Sequence, residues 1–161
     1  MTRGTRLLAG ILAAFALGSS AAAGAPGLAG APPDLRLLDL DNRLVDPFQT
    51  SPAAKAIAFL FVSVECPISN RYAPEIRRLH DAFATRGVAW RLIYPNPAES
   101  PAMIRGHLRD YNLPAGALRD PNQALAKFAQ ATITPEAALY DAEHRRVYLG
   151  RIDDRYVNLG I

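Results

Sequence analysis

The sequence predicts an α/β fold, a sheet of buried strands with helices packed over it. Three observations carry this. Ile57-Ala58-Phe59-Leu60-Phe61-Val62 is an unbroken apolar run of strand length, as expected for a central strand covered on both faces. Apolar residues then recur at Ile68, Tyr72, Ile76, Leu79 and Phe83, the spacing of one helix face. Val88 to Tyr94 is a second largely apolar run, closed by Pro95 and Pro97. Strand, helix and strand in succession make a βαβ unit.

The elements follow in order. Arg3 and Arg6 precede an apolar run from Leu7 to Leu17 and then Ala21-Ala22-Ala23, so residues 1–23 read as a secretory signal peptide. The run is too short to span a bilayer comfortably. After cleavage no stable membrane anchor is expected, and the destination is secreted, the bacterial periplasm. Residues 24–34 are rich in Gly, Ala and Pro and read as a flexible lead-in to one domain over residues 35–161. Around Asp41-Asn42-Arg43, two short runs, Leu35–Leu40 and Leu44-Val45, fit a β-hairpin. Residues 48–55 are a loop. The helix opened by Pro67 is expected to run to about Arg86, to stop at Gly87 and to be kinked by Pro74. Ser100-Pro101 caps and opens another, with Ile104, Leu108 and Tyr111 inward. Asp120-Pro121 opens a third, with Gln123 completing a capping box. Pro135 introduces a strand at Ala137–Asp141, and a turn at Asp141–Arg145 leads to a last strand at Val147–Arg151.

Charge excludes some functions. The whole chain carries 18 basic and 15 acidic side chains, a net of +3. Residues 1–23 hold two of the arginines and no acid, which leaves 16 against 15, a net of +1. That balance supports neither nucleic-acid binding nor a polybasic membrane patch.

The chemistry points to Cys66, the only cysteine of the chain. Structural cysteines of exported proteins normally come in pairs. A lone one is a reactive thiol, an intermolecular partner or an inert core residue. Cys66 stands where the apolar strand hands over to the helix, with Pro67 at the first helical position and Ser69 one turn on. Free N–H groups and the helix dipole favour a thiolate there, and such thiols fall from about 8.5 to roughly 3.5–7.5. Glu65, next to it, opposes this if close.

Cys66-Pro67-Ile68-Ser69, followed by Ala73-Pro74, resembles the active-site helix of the thioredoxin superfamily. There the pattern is C-x-x-C with Ala-Pro at the same distance; here Ser69 replaces the second cysteine. Thr134-Pro135-Glu136 before a strand is similar to the family's cis-proline corner, which faces the active-site cysteine. The order of elements, with Tyr148–Asp154 at the end, resembles the redoxin branch, which holds thiol oxidoreductases and peroxiredoxins, over residues 33–157. The resemblance implies a thioredoxin-like three-layer α/β/α sandwich with an N-terminal β-hairpin extension. Such folds usually close with a C-terminal helix on the sheet; here the sequence stops at Ile161, so either that helix is missing or the chain is truncated, and one face of the sheet is expected to be partly bare.

By that resemblance Cys66 is the nucleophile, supported by Ser69, Thr134 and Pro135. Ser63, three residues before Cys66, stands in for the threonine of the peroxiredoxin pattern P-x-x-x-T-x-x-C, while Phe59 occupies the proline position. Arg119 or Arg151 is the candidate for the peroxide-steadying cation. Thioredoxins carry a buried acid on the strand before the cysteine. Leu60 holds that place here, so no internal proton acceptor is expected. Without a resolving sulfur three routes stay open: monothiol exchange with an external thiol reductant or a protein disulfide, peroxide reduction, or redox-inactive docking of a partner through the Cys66 face. No cofactor and no metal are expected. His80, His107 and His144 lie on separate elements without ligand spacing and are expected at the surface or on helix faces.

Overall fold

A computed structural model describes residues 32, 34–114 and 116–155. The signal segment and most of the lead-in lie outside the described residues.

The strand β3, Ala56–Phe61, is the axis of the sheet. Its alternate side chains serve two cores because both faces are covered. Ile57, Phe59 and Phe61 face one side, with Phe48, Leu125, Ala129 and Tyr140. Leu60 and the following Val62 face the other, with Tyr72, Ile76, Leu92, Tyr94 and Ile104. β4, Val88–Tyr94, runs parallel to β3, and β5, Ala117–Arg119, runs parallel to β4. On its other edge β3 pairs antiparallel with β6, Glu136–Asp141, which pairs antiparallel with β7, Arg146–Gly150. The hairpin β1, Leu37–Leu38, and β2, Leu44–Val45, adds to β5. The seven strands lie in the order β2-β1-β5-β4-β3-β6-β7. Helices α1, Pro67–Arg71, α2, Ala73–Ala84, and α3, Pro101–Asp110, contribute to one core, and α4, Ala124–Ala129, to the other. This is the expected three-layer α/β/α sandwich with its hairpin extension.

Four expectations are corrected. The helix after Cys66 is two helices that break at Tyr72, and Pro74 sits in the first turn of α2 rather than in a helix interior. In a first turn its missing N–H has no intrahelical partner to lose, so it starts a helix instead of kinking one. β5 was not expected at all. The helix near Asp120 begins only at Ala124, after Gln123 in the left-handed region at φ 55°, which caps nothing with its side chain. Asp120 caps it from further off, accepting the N–H groups of Ala124 at 2.7 Å and Ala126 at 2.9 Å. Tyr111 is exposed rather than inward.

Among the described residues no helix follows β7. The face of β3, β6 and β7 beside α2 is left as an apolar groove of about 460 Å³, lined by Ala58, Leu60, Leu79, Phe83, Leu139 and Tyr148 among others. Among the described residues, this groove lies open where the sequence reading expected a partly bare face.

Phe59 is fully buried, with ring centroids 5.1 Å from Phe48 and 5.5 Å from Tyr140, both edge-on. Phe59→Ala removes a fully buried ring of this aromatic cluster and should cost about 3–5 kcal/mol in urea unfolding; a loss under about 1 kcal/mol would contradict the packing described.

Candidate active site

The chain leaves β3 through Val62-Ser63-Val64-Glu65 and turns into α1 at Cys66, whose N–H donates to the Ser63 carbonyl at 3.3 Å. Cys66 is the N-cap of α1, in extended conformation, and its sulfur accepts the Ser69 N–H at 3.4 Å. Pro67 follows at the first helical position. The partly exposed Sγ also donates to the carbonyl oxygen of Thr134 at 3.3 Å. The Thr134–Pro135 peptide is cis, as the resemblance implied. Cys66, Ser69, Thr134 and Pro135 are thus brought together where two loops meet at one end of the sheet.

Burial pushes the Cys66 thiol up. The Ser69 hydroxyl, the Ser69 N–H, the Thr134 side chain and the backbone of Ile68 together outweigh it, and the thiol is held below its ordinary value. Ser69 is 2 % exposed, and its Oγ is bonded to no other group, so the hydroxyl is left to act on the sulfur.

Ser63 is not bonded to the sulfur. Its hydroxyl donates to Glu99 Oε1 at 2.6 Å, and the Val64 N–H donates to the same oxygen at 2.7 Å. Glu99 precedes α3 and is 1 % exposed, and its second oxygen has no partner. Burial raises its pKa against the two donors that lower it, and the neighbouring Glu65 raises it further. Leu60 leaves the strand position apolar, as read from the sequence, and the loop before α3 brings a buried carboxyl to Ser63 and Val64, which the sequence reading did not include.

Of the two places expected for His107, the structure gives the helix face, the inward one of α3. It is buried, not superficial, with Nδ1 2.9 Å from the Tyr94 hydroxyl and Nε2 2.8 Å from Asn70 Oδ1. Asn70 Nδ2 donates to the Val64 carbonyl at 3.1 Å. Desolvation lowers the pKa of His107, with Asp110 opposing. His80 stands beside Asp81, and His144 packs on the Phe48 ring. Neither candidate cation is bonded to the sulfur. Arg119 donates to the Glu99 carbonyl at 3.2 Å and to Asn42 Oδ1 at 2.8 Å, and Arg151 is exposed. The Tyr72 hydroxyl donates to Asp153, so residues 151–155 are tied to the break between α1 and α2.

Glu99 and Asn70 went unnoticed in the sequence. A polar loop residue and a helix-surface amide carry no periodic signal. His107 did carry one, since it falls three after Ile104 on the inner stripe of its helix.

No family model matches the chain, and no curated protein does. Solved structures do. The chain is similar to an uncharacterized conserved protein from Geobacillus kaustophilus, 28 % identical with a TM-score of 0.69, over 84 % of this chain and 74 % of that one. It is similar to the thioredoxin domain of a thiol-disulfide oxidoreductase from Bacteroides vulgatus, 15 % identical with a TM-score of 0.63, over 81 % and 92 %. It is also similar to a secreted disulfide oxidoreductase from Mycobacterium tuberculosis, 17 % identical with a TM-score of 0.59, over 73 % and 83 %. The fold is thioredoxin-like.

The depressed thiol makes stability depend on pH. The folded state favours the thiolate more than the unfolded chain does. The stabilisation is full above the unfolded value of about 8.5 and is lost as pH falls through the folded pKa. Serine keeps the N-cap. Under reducing conditions the stability gap between the chain and Cys66→Ser should therefore widen from pH 6 to pH 9 in urea titrations. A gap that stays constant would show a thiol of ordinary acidity.

Proposed function

We propose that the chain is an exported thiol oxidoreductase that uses one nucleophilic sulfur, Cys66, in monothiol disulfide exchange. One observation carries this reading: a partly exposed sulfur at a helix start, fed by the Ser69 N–H, beside the Thr134–Pro135 corner, with its thiol held below the ordinary value.

The Cys66 thiolate attacks one sulfur of a disulfide R–S–S–R′. The Sγ–S bond forms as the S–S bond breaks, and R′–S⁻ leaves and takes a proton from water. An external thiolate R″–S⁻ then attacks the R sulfur, which frees the Cys66 thiolate and releases R–S–S–R″. A second R″–SH completes reduction, giving R–SH and R″–S–S–R″. Ser69 occupies the place of a resolving sulfur. Its hydroxyl can stabilise the thiolate but cannot form a disulfide, so the reductant comes from outside the chain. Thr134 and Pro135 form the wall against which the attacked disulfide lies. Ser63 acts at a distance, through Glu99.

Peroxide reduction is less well supported. It would give a Cys66 sulfenic acid and water, and it calls for a cation at the sulfur. Arg119 is committed to Glu99 and Asn42. Export rests on the signal-like residues 1–23, with the periplasm as the destination.

Purified protein lacking residues 1–23 should form a mixed disulfide with oxidised glutathione at Cys66, and an external thiol should clear it. Iodoacetamide labelling should titrate below about 8.5, hydrogen peroxide should react slowly, and Cys66→Ser should form no adduct. A thiol at or above that value with no adduct would leave a redox-inactive docking module, and fast peroxide consumption would make the chain a peroxidase.

A further inference from the structure

Val64, two residues before the nucleophile, is held through both of its peptide groups. We infer that this grip aims Cys66, and that Glu99, Asn70 and His107 are its positioning residues. The inference rests on the exchange reading for its meaning in turnover, but not for its test.

Glu99 takes one side. Its Oε1 receives the Val64 N–H at 2.7 Å and the Ser63 hydroxyl at 2.6 Å, so one buried oxygen holds two consecutive residues. The glutamate is itself fixed. Its N–H donates to the Asn96 carbonyl, Arg119 donates to its carbonyl oxygen, and the next residue, Ser100, caps α3. A carboxyl 1 % exposed is costly to bury. Its placement serves no helix cap and no ion pair, and both of its bonded donors belong to the loop that carries Cys66.

A relay takes the other side. The Val64 carbonyl can only accept, so Asn70 must present its amide nitrogen there and its oxygen to His107. His107 Nε2 therefore carries the proton, and Nδ1 accepts from the Tyr94 hydroxyl. Every donor in the series Tyr94, His107, Asn70, Val64 points the same way, and the set is complete with a neutral imidazole. Three elements, β4, α3 and α1, thus converge on one carbonyl. Releasing it loosens the turn from Ser63 to Cys66 and with it the bond between the sulfur and the Ser69 N–H.

A grip that only stabilised the fold would change the melting temperature and leave the thiol alone. The experiment compares the pH profile of iodoacetamide labelling in Glu99→Ala, Asn70→Ala and Glu99→Gln, with Phe59→Ala as a destabilised control on the opposite core. Glu99→Ala and Asn70→Ala should move the profile to higher pH and slow labelling at pH 7 about threefold, the effect of a rise of about half a unit. Glu99→Gln keeps an accepting oxygen and should recover most of the loss. Phe59→Ala should not move the profile. In the unsubstituted protein, the Val64 amide should exchange with deuterium as slowly as those of β3, and about tenfold faster in Glu99→Ala. A profile unmoved in folded variants would overturn the inference, and so would a fast-exchanging Val64 amide, which is read even if the variants fail to fold. Absence of a glutathione adduct would sink the exchange reading while leaving these readouts intact.

Discussion

The position of the Cys66 sulfur depends on the antiparallel register of β3 and β6. Phe61 lies opposite Glu136, so the chain that leaves β3 toward Cys66 and the chain that enters β6 through Thr134–Pro135 emerge at the same end of the sheet. The residues just beyond that pair are the ones that meet, sulfur against carbonyl. A slip of one residue would turn every β6 side chain to the other face. Ala138 and Tyr140 would leave the core that contains Phe59, and Ala137 would leave the one that contains Leu60. The apolar packing of two separate cores thus fixes the geometry of one polar contact.

The acidity of the thiol has a local origin. A single long helix from Pro67 would have set a full macrodipole behind the sulfur, but α1 ends after five residues. What remains is close range: the Ser69 N–H and hydroxyl, the Thr134 side chain and the backbone of Ile68. No formal charge figures among these. Their effect therefore depends on angles and distances of a few tenths of an ångström, and not on a charge acting from afar. This is why the loop leading to Cys66 matters more here than it would beside an arginine, and why buried polar groups are gathered on Val64.

The central parts were legible because they are written locally. β3 and β4 are apolar runs, Cys66 and Pro67 mark a strand-to-helix junction, and Ser100-Pro101 caps a helix as expected, with Ser100 Oγ accepting the Met103 N–H. β5 was not legible. Three residues between Gly116 and Asp120 become a strand only because β4 and β1 lie on either side. α4 misled for a similar reason, since the buried Asp120 carboxylate reaches past the residues that looked like its start. The buried side of the site was hidden most completely. Hydrophobic periodicity predicts which apolar residues go inside, and it is silent on a glutamate or an asparagine that goes inside with them. Only His107, on an otherwise apolar stripe, broke a pattern that could have been noticed.

Under the proposed exchange, the same contacts act twice. They favour the thiolate as an attacking group, and they favour it again as a leaving group when an external thiol attacks the mixed disulfide. A low thiol pKa reduces intrinsic nucleophilicity but increases the thiolate fraction and eases departure. A chain with a second cysteine can clear its mixed disulfide internally. This chain has Ser69 there, and its clearance depends on how well Cys66 leaves. The buried Ser69 hydroxyl, bonded to no other group, is then more than a vestige of a missing sulfur. It is a donor left to act on the sulfur in the one state, the thiolate, that the reaction must both begin from and return to.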